Sequence, residues 1–440
     1  MINEKPATGV HKRIWAIAWP MMLSNITVPL LGLVDTAVMG HLEDARYLGA
    51  IAAGATLFSF FYWAFVFLRM GVSGLTAQAV GRRDRREQAD ILSANLWLAW
   101  GLAAGLVALH GPMTLLGLQW LGTDPVITAL AEDYVRVRIW SAPAVLATYV
   151  MIGWLIGRQD SRRPLLILVC INLVNLLLDL LFVSVLGMKS EGVALATLCG
   201  EWSGFLLGLY LVRFHLPAGL GALLRQRPAA ALVRRSLKVN WHLFVRTLLI
   251  LFALAFFTAQ GARQAGVLLA ANALLINFLL LMSNALDGFA NAAEALCGEA
   301  WGARNRQALG QAIRASLVWS FGMALLLVVG FGLGGVPFIY ALTDINSVRT
   351  TAVEFLPWLV LMPLWSVWCF TWDGVYAGLA WSGGMLLVMG LAVFGVYLPV
   401  WYLSRELGNH GLWLSMSMFM VARSAMMAGL ARHRMRNRPN

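Results

Sequence analysis

The chain has 440 residues, 60% of them hydrophobic and only 12% charged, with a mean hydropathy of +0.73. That excludes a soluble globular domain and fits an all-α polytopic membrane protein, since a membrane barrel would show short alternating strands. The formal net charge of +12 invites a nucleic-acid reading, but the charges sit in loops between apolar runs, which argues against nucleic acid as a partner.

The first thirteen residues are polar and carry no cleavage motif, so the first apolar run is expected to be a retained anchor. Twelve spans are predicted in chain order, at roughly 14–40, 48–72, 90–110, 130–156, 165–186, 192–212, 238–260, 267–300, 312–332, 350–378, 384–403 and 411–431. Several exceed the ~20 residues that cross a bilayer, so tilt, kinks or extension must absorb the excess. The stretch 213–238, with Pro217, Gly219, Gly221 and Pro228, is the longest basic connection. Leu220, Leu223 and Leu224 near its basic residues fit a short surface helix. The expected organisation is an N-terminal six-helix lobe (1–212), a linker (213–238) and a C-terminal six-helix lobe (239–440).

An internal repeat supports that division. Gly40, Leu48, Ala52, Leu75, Ala79 and Gly81 recur 221 positions later as Gly261, Leu269, Ala273, Leu296, Ala300 and Gly302. Gly157 falls on Gly378 and Gly187 on Gly408 at the same spacing, while Pro143 falls on Pro363 at 220. A spacing held over so long a span implies two pseudo-symmetric bundles, an arrangement common among secondary transporters.

Loops alternate between basic and nearly neutral. The termini and every second loop hold 22 of the 33 basic residues, among them Arg82, Arg83, Arg85, Arg86, Arg158, Arg162, Arg163 and Arg432. The positive-inside bias therefore predicts that both termini are cytoplasmic. Cys170, Cys199, Cys297 and Cys369 lie within apolar spans and are expected to be buried free thiols. No phosphate-binding G-x-x-x-x-G-K-[ST] loop exists, and none of the four lysines follows a glycine. No metal-binding or catalytic signature is present either, so neither a cofactor nor an enzymatic activity is expected. An ion gradient is the remaining energy source, and it requires ionisable groups in the membrane.

Asp35 and Asp179 are the leading candidates. Asn175 precedes Asp179 by four residues, on the same helical face. With Thr197 these groups fall roughly 8–17 Å below the outer surface, at ~1.5 Å per residue. Two close carboxylates in low dielectric resist joint ionisation and suit a shared proton. The same oxygens suit Na⁺. Each Asp taken alone also fits a shallow interfacial residue or a helix-packing hydrogen bond. The second half replaces them, with Phe256 at the place of Asp35 and Val400 at that of Asp179. It carries other acids, Asp287, Glu294, Glu299 and Asp373, and Asp287, Asn291 and Glu294 form one stripe. That stripe with Asp373 is a possible second polar site, although Arg246 and Arg423 are equally expected to pair with it structurally. Glu201 and Arg69 read as structural charges. Pro20 and Pro29 interrupt the first span and make it prone to bend. Met22, Met39, Trp63 and Trp154 are candidates to line an apolar cavity.

The chain resembles the MATE (multidrug and toxic compound extrusion) family, most closely its DinF branch. The resemblance rests on Trp19-Pro20, on Gly32–Leu42, on Gly74–Gly81 with its Leu75-Thr76-Ala77-Gln78, and on Asp373–Gly378. It implies two six-helix bundles forming a V, exporting organic cations and other amphiphiles against H⁺ or Na⁺. It implies a first-lobe coupling site at Asp35, Asn175, Asp179 and Thr197, and a bend at Pro20. The NorM-type branch has an acid in the seventh span, which this chain lacks. The expectation is a monomeric, proton-coupled exporter of small amphiphilic or cationic compounds, in the cytoplasmic (inner) membrane. A Na⁺-coupled antiporter, a lipid-linked precursor flippase and a non-transporting membrane scaffold are the alternatives.

Overall fold

The computed structural model describes the backbone of residues 7–39, 45–121, 124–216, 219, 221, 228–264 and 266–436, and side chains within these except at 7, 8, 26–39, 45–48 and 184. Among the described residues the chain is helical throughout, without strands. In chain order the helices are α1 (Ala7–Met39), α2 (Ala45–Ala64), α3 (Phe67–Gly81), α4 (Arg85–Leu121), α5 (Pro125–Arg138), α6 (Ala142–Gly157), α7 (Arg162–Asp179) and α8 (Ser190–Arg213). They continue with α9 (Ala230–Gln264), α10 (Gly266–Gly302), α11 (Arg306–Leu342), α12 (Asn346–Gly378), α13 (Ser382–Ala392), α14 (Leu398–Ser404) and α15 (Asn409–Arg436). Among the described residues, 11 helical segments are long and apolar enough to cross a membrane, and α1 is a further long helix.

The spans run longer than hydropathy alone suggested. The second continues past residue 72 to Gly81, with a break between Ala64 and Phe67, and α4 extends to Leu121. Amphipathic ends that emerge from the hydrocarbon keep their backbone hydrogen bonds and remain helical. The backbone of α1 is helical through both Pro20 and Pro29.

The repeat of 221 residues is written into the backbone. Arg83 and Arg304 have φ of +58° and +55°, Gln159 and Ala380 +63° and +52°, and Gly187 and Gly408 +66° and +58°. The first two pairs end helices in the same way. Asp84 N donates to Ala79 O at 3.1 Å and Asn305 N to Ala300 O at 2.9 Å, the six-to-one bond that closes a helix around a left-handed residue. Each turn then caps the next helix: Asp84 Oδ1 accepts from Glu87 N at 2.8 Å, and Asn305 Oδ1 from Ala308 N at 2.9 Å.

Helix packing repeats as well. A Cβ on Gly153 would lie 2.2 Å from Arg69 O, and one on Gly374 2.1 Å from Ala290 O. One turn on, Gly157 meets Ser73 O at 2.4 Å and Gly378 meets Glu294 O at 2.3 Å. These glycines let α6 lie on α3, and α12 on α10, at backbone contact. Small residues at four-residue spacing are how membrane helices associate where burial from water offers no driving force.

The chain forms two compact units, Leu23–Leu237 and Lys238–Asn440 together with the residues up to Met22. The unit boundaries therefore fall inside α1 and α9. Within the second unit Arg13 pairs with Glu299, Trp15 stacks edge-on against Phe289 and Trp319, and Met22 packs on Gly288. Within the first, Arg235 donates to Gln78 Oε1 at 2.8 Å, and Gln78 is the repeat counterpart of Glu299. The core of the second unit gathers Phe257, Phe278, Phe331, Tyr397, Trp413 and Phe419.

Two expectations about side chains change. Cys297 and Cys369 are buried, but Cys170 is half-buried and Cys199 exposed. Trp154 and Met22 belong to the core rather than to a cavity wall, and the Trp154 indole donates to Gln88 O at 2.7 Å. Trp63 is 40% exposed, and Met39's side chain lies outside the described residues.

Candidate functional site

In the first unit the buried face of α7 is the row Ile167, Ile171, Asn175 and Asp179, one residue per turn. The row is apolar at its start and polar at its end. Opposite it, α8 presents Gly200, Gly204 and Gly208, also four apart. A Cβ on Gly204 would lie 2.2 Å from Ile171 Cγ1, and one on Gly200 3.0 Å from Ile171 O. This close seam brings the Asn175 amide to the Thr197 hydroxyl, which accepts at 3.2 Å and donates to Val193 O at 3.0 Å. With the hydroxyl proton committed to the carbonyl, the amide must be the donor. Among the described residues Asn175 Oδ1 is buried without a hydrogen-bond partner.

Asn175 and Asp179 are each 1% exposed and Thr197 8%. The helix changes to a π-turn over Leu180–Val185 directly after Asp179. Such turns release backbone groups from regular bonding and often mark functional positions. Asp35 lies on the helical backbone of α1, but its side chain is outside the described residues.

The corresponding place in the second unit is aromatic. Phe256 packs edge-on against Trp401, ring centroids 4.9 Å apart, and against Tyr397 at 5.7 Å. The Tyr397 hydroxyl donates to Ala253 O at 3.2 Å. Rings surround Phe256, and Val400 stands at the repeat position of Asp179, so the units share a fold but not this chemistry.

The second-unit acids are distributed rather than gathered. Asp373 Oδ2 takes both Arg246 and Arg423, the latter at 2.8 Å, and all three residues are buried. Arg423 also approaches Met420 Sδ at 3.5 Å and lies 5.3 Å from the Phe419 ring centroid. Asp287 is within electrostatic reach of Arg246. Asn291 and Glu294 are buried on α10, and Glu299 is the partner of Arg13. The buried arginines are thus neutralised by carboxylates, unlike the open cationic surface a phosphate carrier needs. A separate cleft of about 510 Å³ in this unit is lined by Leu364, Trp365, Trp368, Trp372, Ser424 and Arg432, an aromatic wall with one charge at its edge.

One cluster escaped sequence reasoning. Tyr62 and Ser141 share a hydrogen bond of 2.7 Å, and Arg138 donates to the Tyr134 hydroxyl at 2.7 Å while lying over the Phe58 ring at 4.9 Å. Arg138 four residues after Tyr134, one helical turn, was the available signal, although Glu132, Asp133 and Arg136 nearby made the segment read as a polar helix end.

Membrane-length helices in two repeated units, with a buried carboxamide and hydroxyl bonded between α7 and α8 and a buried carboxylate one turn further along α7, fit a polytopic membrane transport protein. The MatE family profile matches residues 20–181 and again 242–403. The chain belongs to the MatE family of multidrug efflux transporters. It is 39% identical to DNA damage-inducible protein F of Escherichia coli (strain K12), over 98% of this chain and 94% of that one. It is 29% identical to a probable multidrug resistance protein NorM of Caulobacter vibrioides, over 66% of this chain and 62% of that one. The fold matches a solved outward-facing multidrug resistance MATE family transporter of the MOP superfamily, with a TM-score of 0.86 at 20% identity over 97% of this chain and 96% of that one.

Proposed function

We propose that the protein is a proton-coupled antiporter that exports small amphiphilic or cationic compounds by alternating access, with coupling at Asp35, Asp179, Asn175 and Thr197. The observation that carries this reading is the buried Asn175–Thr197 pair one helical turn from buried Asp179, in a lobe made of membrane-length helices. An ionisable group held at that depth is costly and leans functional. The names of the relatives, multidrug resistance proteins among them, support the substrate class.

Coupling follows if proton and substrate each stabilise a different state of the lobes. Protonation of the Asp35/Asp179 pair removes charge from the site, and the α1 bend at Pro20 follows it. The substrate prefers the state in which the pair is ionised. The working lobes are 1–212 and 239–440, joined by the 213–238 linker, in a monomer with both termini cytoplasmic in the inner membrane.

The test uses proteoliposomes with pH and Na⁺ gradients imposed separately. Efflux should follow the pH gradient, and Asp35→Asn or Asp179→Asn should abolish it in folded protein. Efflux driven by Na⁺ at constant pH, and lost in Asp179→Asn, would replace proton with sodium at the same residues. Wild-type rates in both variants would remove the site.

A further inference from the structure

Glu201 lies on α8 one turn, about 6 Å, beyond Thr197 toward the helix end that carries the basic loops. It is half-buried near the middle of a 24-residue helix. Groups from four other helices face this region. Arg138 is within electrostatic reach, as are Tyr62 of α2 and Tyr149 of α6, with Tyr134 of α5 beside Arg138 and Arg69 of α3 beside Tyr149. Among the described residues Arg138 is committed to the Tyr134 hydroxyl rather than bonded to Glu201, and its Nε is buried without a partner. A carboxylate in the membrane with a cation near but not bonded to it can exist both ionised and neutral.

Polar groups continue on both sides. Toward one end of the lobe stand Thr197, Asn175 and Asp179. Toward the other stand the hydroxyls of Thr148 on α6 and of Ser73 and Thr76 on α3, all buried and, among the described residues, without hydrogen-bond partners. A hydroxyl not committed to a carbonyl is free to accept a proton on one lone pair and release its own.

We propose that Glu201 is a second proton-carrying residue, passing protons between the Asp179 site and the basic-loop end of the lobe along the α3–α6 hydroxyls. This rests on the proton-coupled reading. In each passage the carboxylate gains one proton from the Asp179 side, becomes a neutral acid beside Arg138, and returns to carboxylate as that proton leaves toward Thr148. Nothing else is consumed.

The test compares wild type, Asp179→Asn, Glu201→Gln and the double variant Arg138→Gln/Glu201→Gln, as full-length protein in proteoliposomes with ethidium as the transported cation. Glu201→Gln should slow pH-gradient-driven efflux by about tenfold or more, as expected when a proton-transfer group is removed. Ethidium binding in detergent should stay within about threefold of wild type, since binding and proton delivery are separate steps. Wild-type efflux in Glu201→Gln, with Asp179→Asn inactive, overturns the relay and leaves the coupling site standing. Recovery of efflux in the double variant also overturns it, because Glu201 would then serve only as a counter-charge to Arg138. A wild-type protein indifferent to the pH gradient overturns the coupling reading and the relay together. Should Glu201→Gln fail to reach the membrane, Glu201→His carries the test. A titratable imidazole should support efflux with a displaced pH profile, and an unmoved profile refutes the relay.

Discussion

Gly374→Ala adds one methyl group where the structure leaves no room. Its Cβ would lie 2.1 Å from Ala290 O and 2.8 Å from the carbonyl carbon of the same residue, both backbone atoms of α10. No rotamer change relieves a backbone clash, so α10 and α12 must separate by roughly 1 Å along a shared seam, and overpacking of that kind costs about 1–3 kcal/mol. Alanine recovers about 0.5–1 kcal/mol through its better helical propensity, leaving a net loss near 1–2 kcal/mol. Gly153→Ala, whose Cβ would meet Arg69 O at 2.2 Å, should lose a similar amount in the first unit. Gly330, with nothing within 4 Å, is the control, and Gly330→Ala should be neutral or stabilising. The assay is thermal unfolding of purified protein in detergent, followed by tryptophan fluorescence. A Gly374→Ala midpoint equal to that of Gly330→Ala would refute the close seam. A large loss at Gly374 with none at Gly153 would refute its equivalence in the two units.

Asp373→Ala should destabilise the protein by about 3–5 kcal/mol in the same melting assay, because it strands two buried guanidinium groups, and wild-type melting would show that Arg246 and Arg423 are compensated elsewhere. Ala380→Gly should stabilise by about 1 kcal/mol by relieving a left-handed φ of +52°, and a loss of stability would contradict that backbone geometry. Burial, with Arg158 and Arg163 nearby, holds His215 below the ordinary imidazole range. The unfolded chain therefore takes up a proton near pH 6.5 before the folded one does, so stability should be full above that value and fall as pH drops through it toward the depressed folded value. His215→Gln should flatten the melting midpoint between about pH 7 and 5, and an unchanged slope would dismiss the effect.

The sequence alone determined the membrane class, the two-fold repeat and the residues that recur within it. The repeat was legible because Gly157 and Gly378, and the turns after Gly81 and Gly302, answer to local backbone needs that a linear spacing reports, and the structure adds Gly153 and Gly374 to the same seam. Asn175 and Asp179 were legible as neighbours for the same reason, since four residues make one helical turn. Common depth also grouped Thr197 with them, but the direct Asn175–Thr197 hydrogen bond depends on the glycine seam between α7 and α8, which only packing decides. The sequence offered several acids as partners for Arg246 and Arg423 and did not single out Asp373 for both, nor did it say that Arg13 would join Glu299 in the second unit or that rings would gather around Phe256. Burial was the least legible of all. Leu333 is 79% exposed and Leu275 fully buried, yet both sit in equally apolar helices. In water, hydrophobicity sorts side chains inward; in a bilayer the solvent is as apolar as the core, so only tertiary packing decides which face of a helix turns to lipid and which to its neighbours.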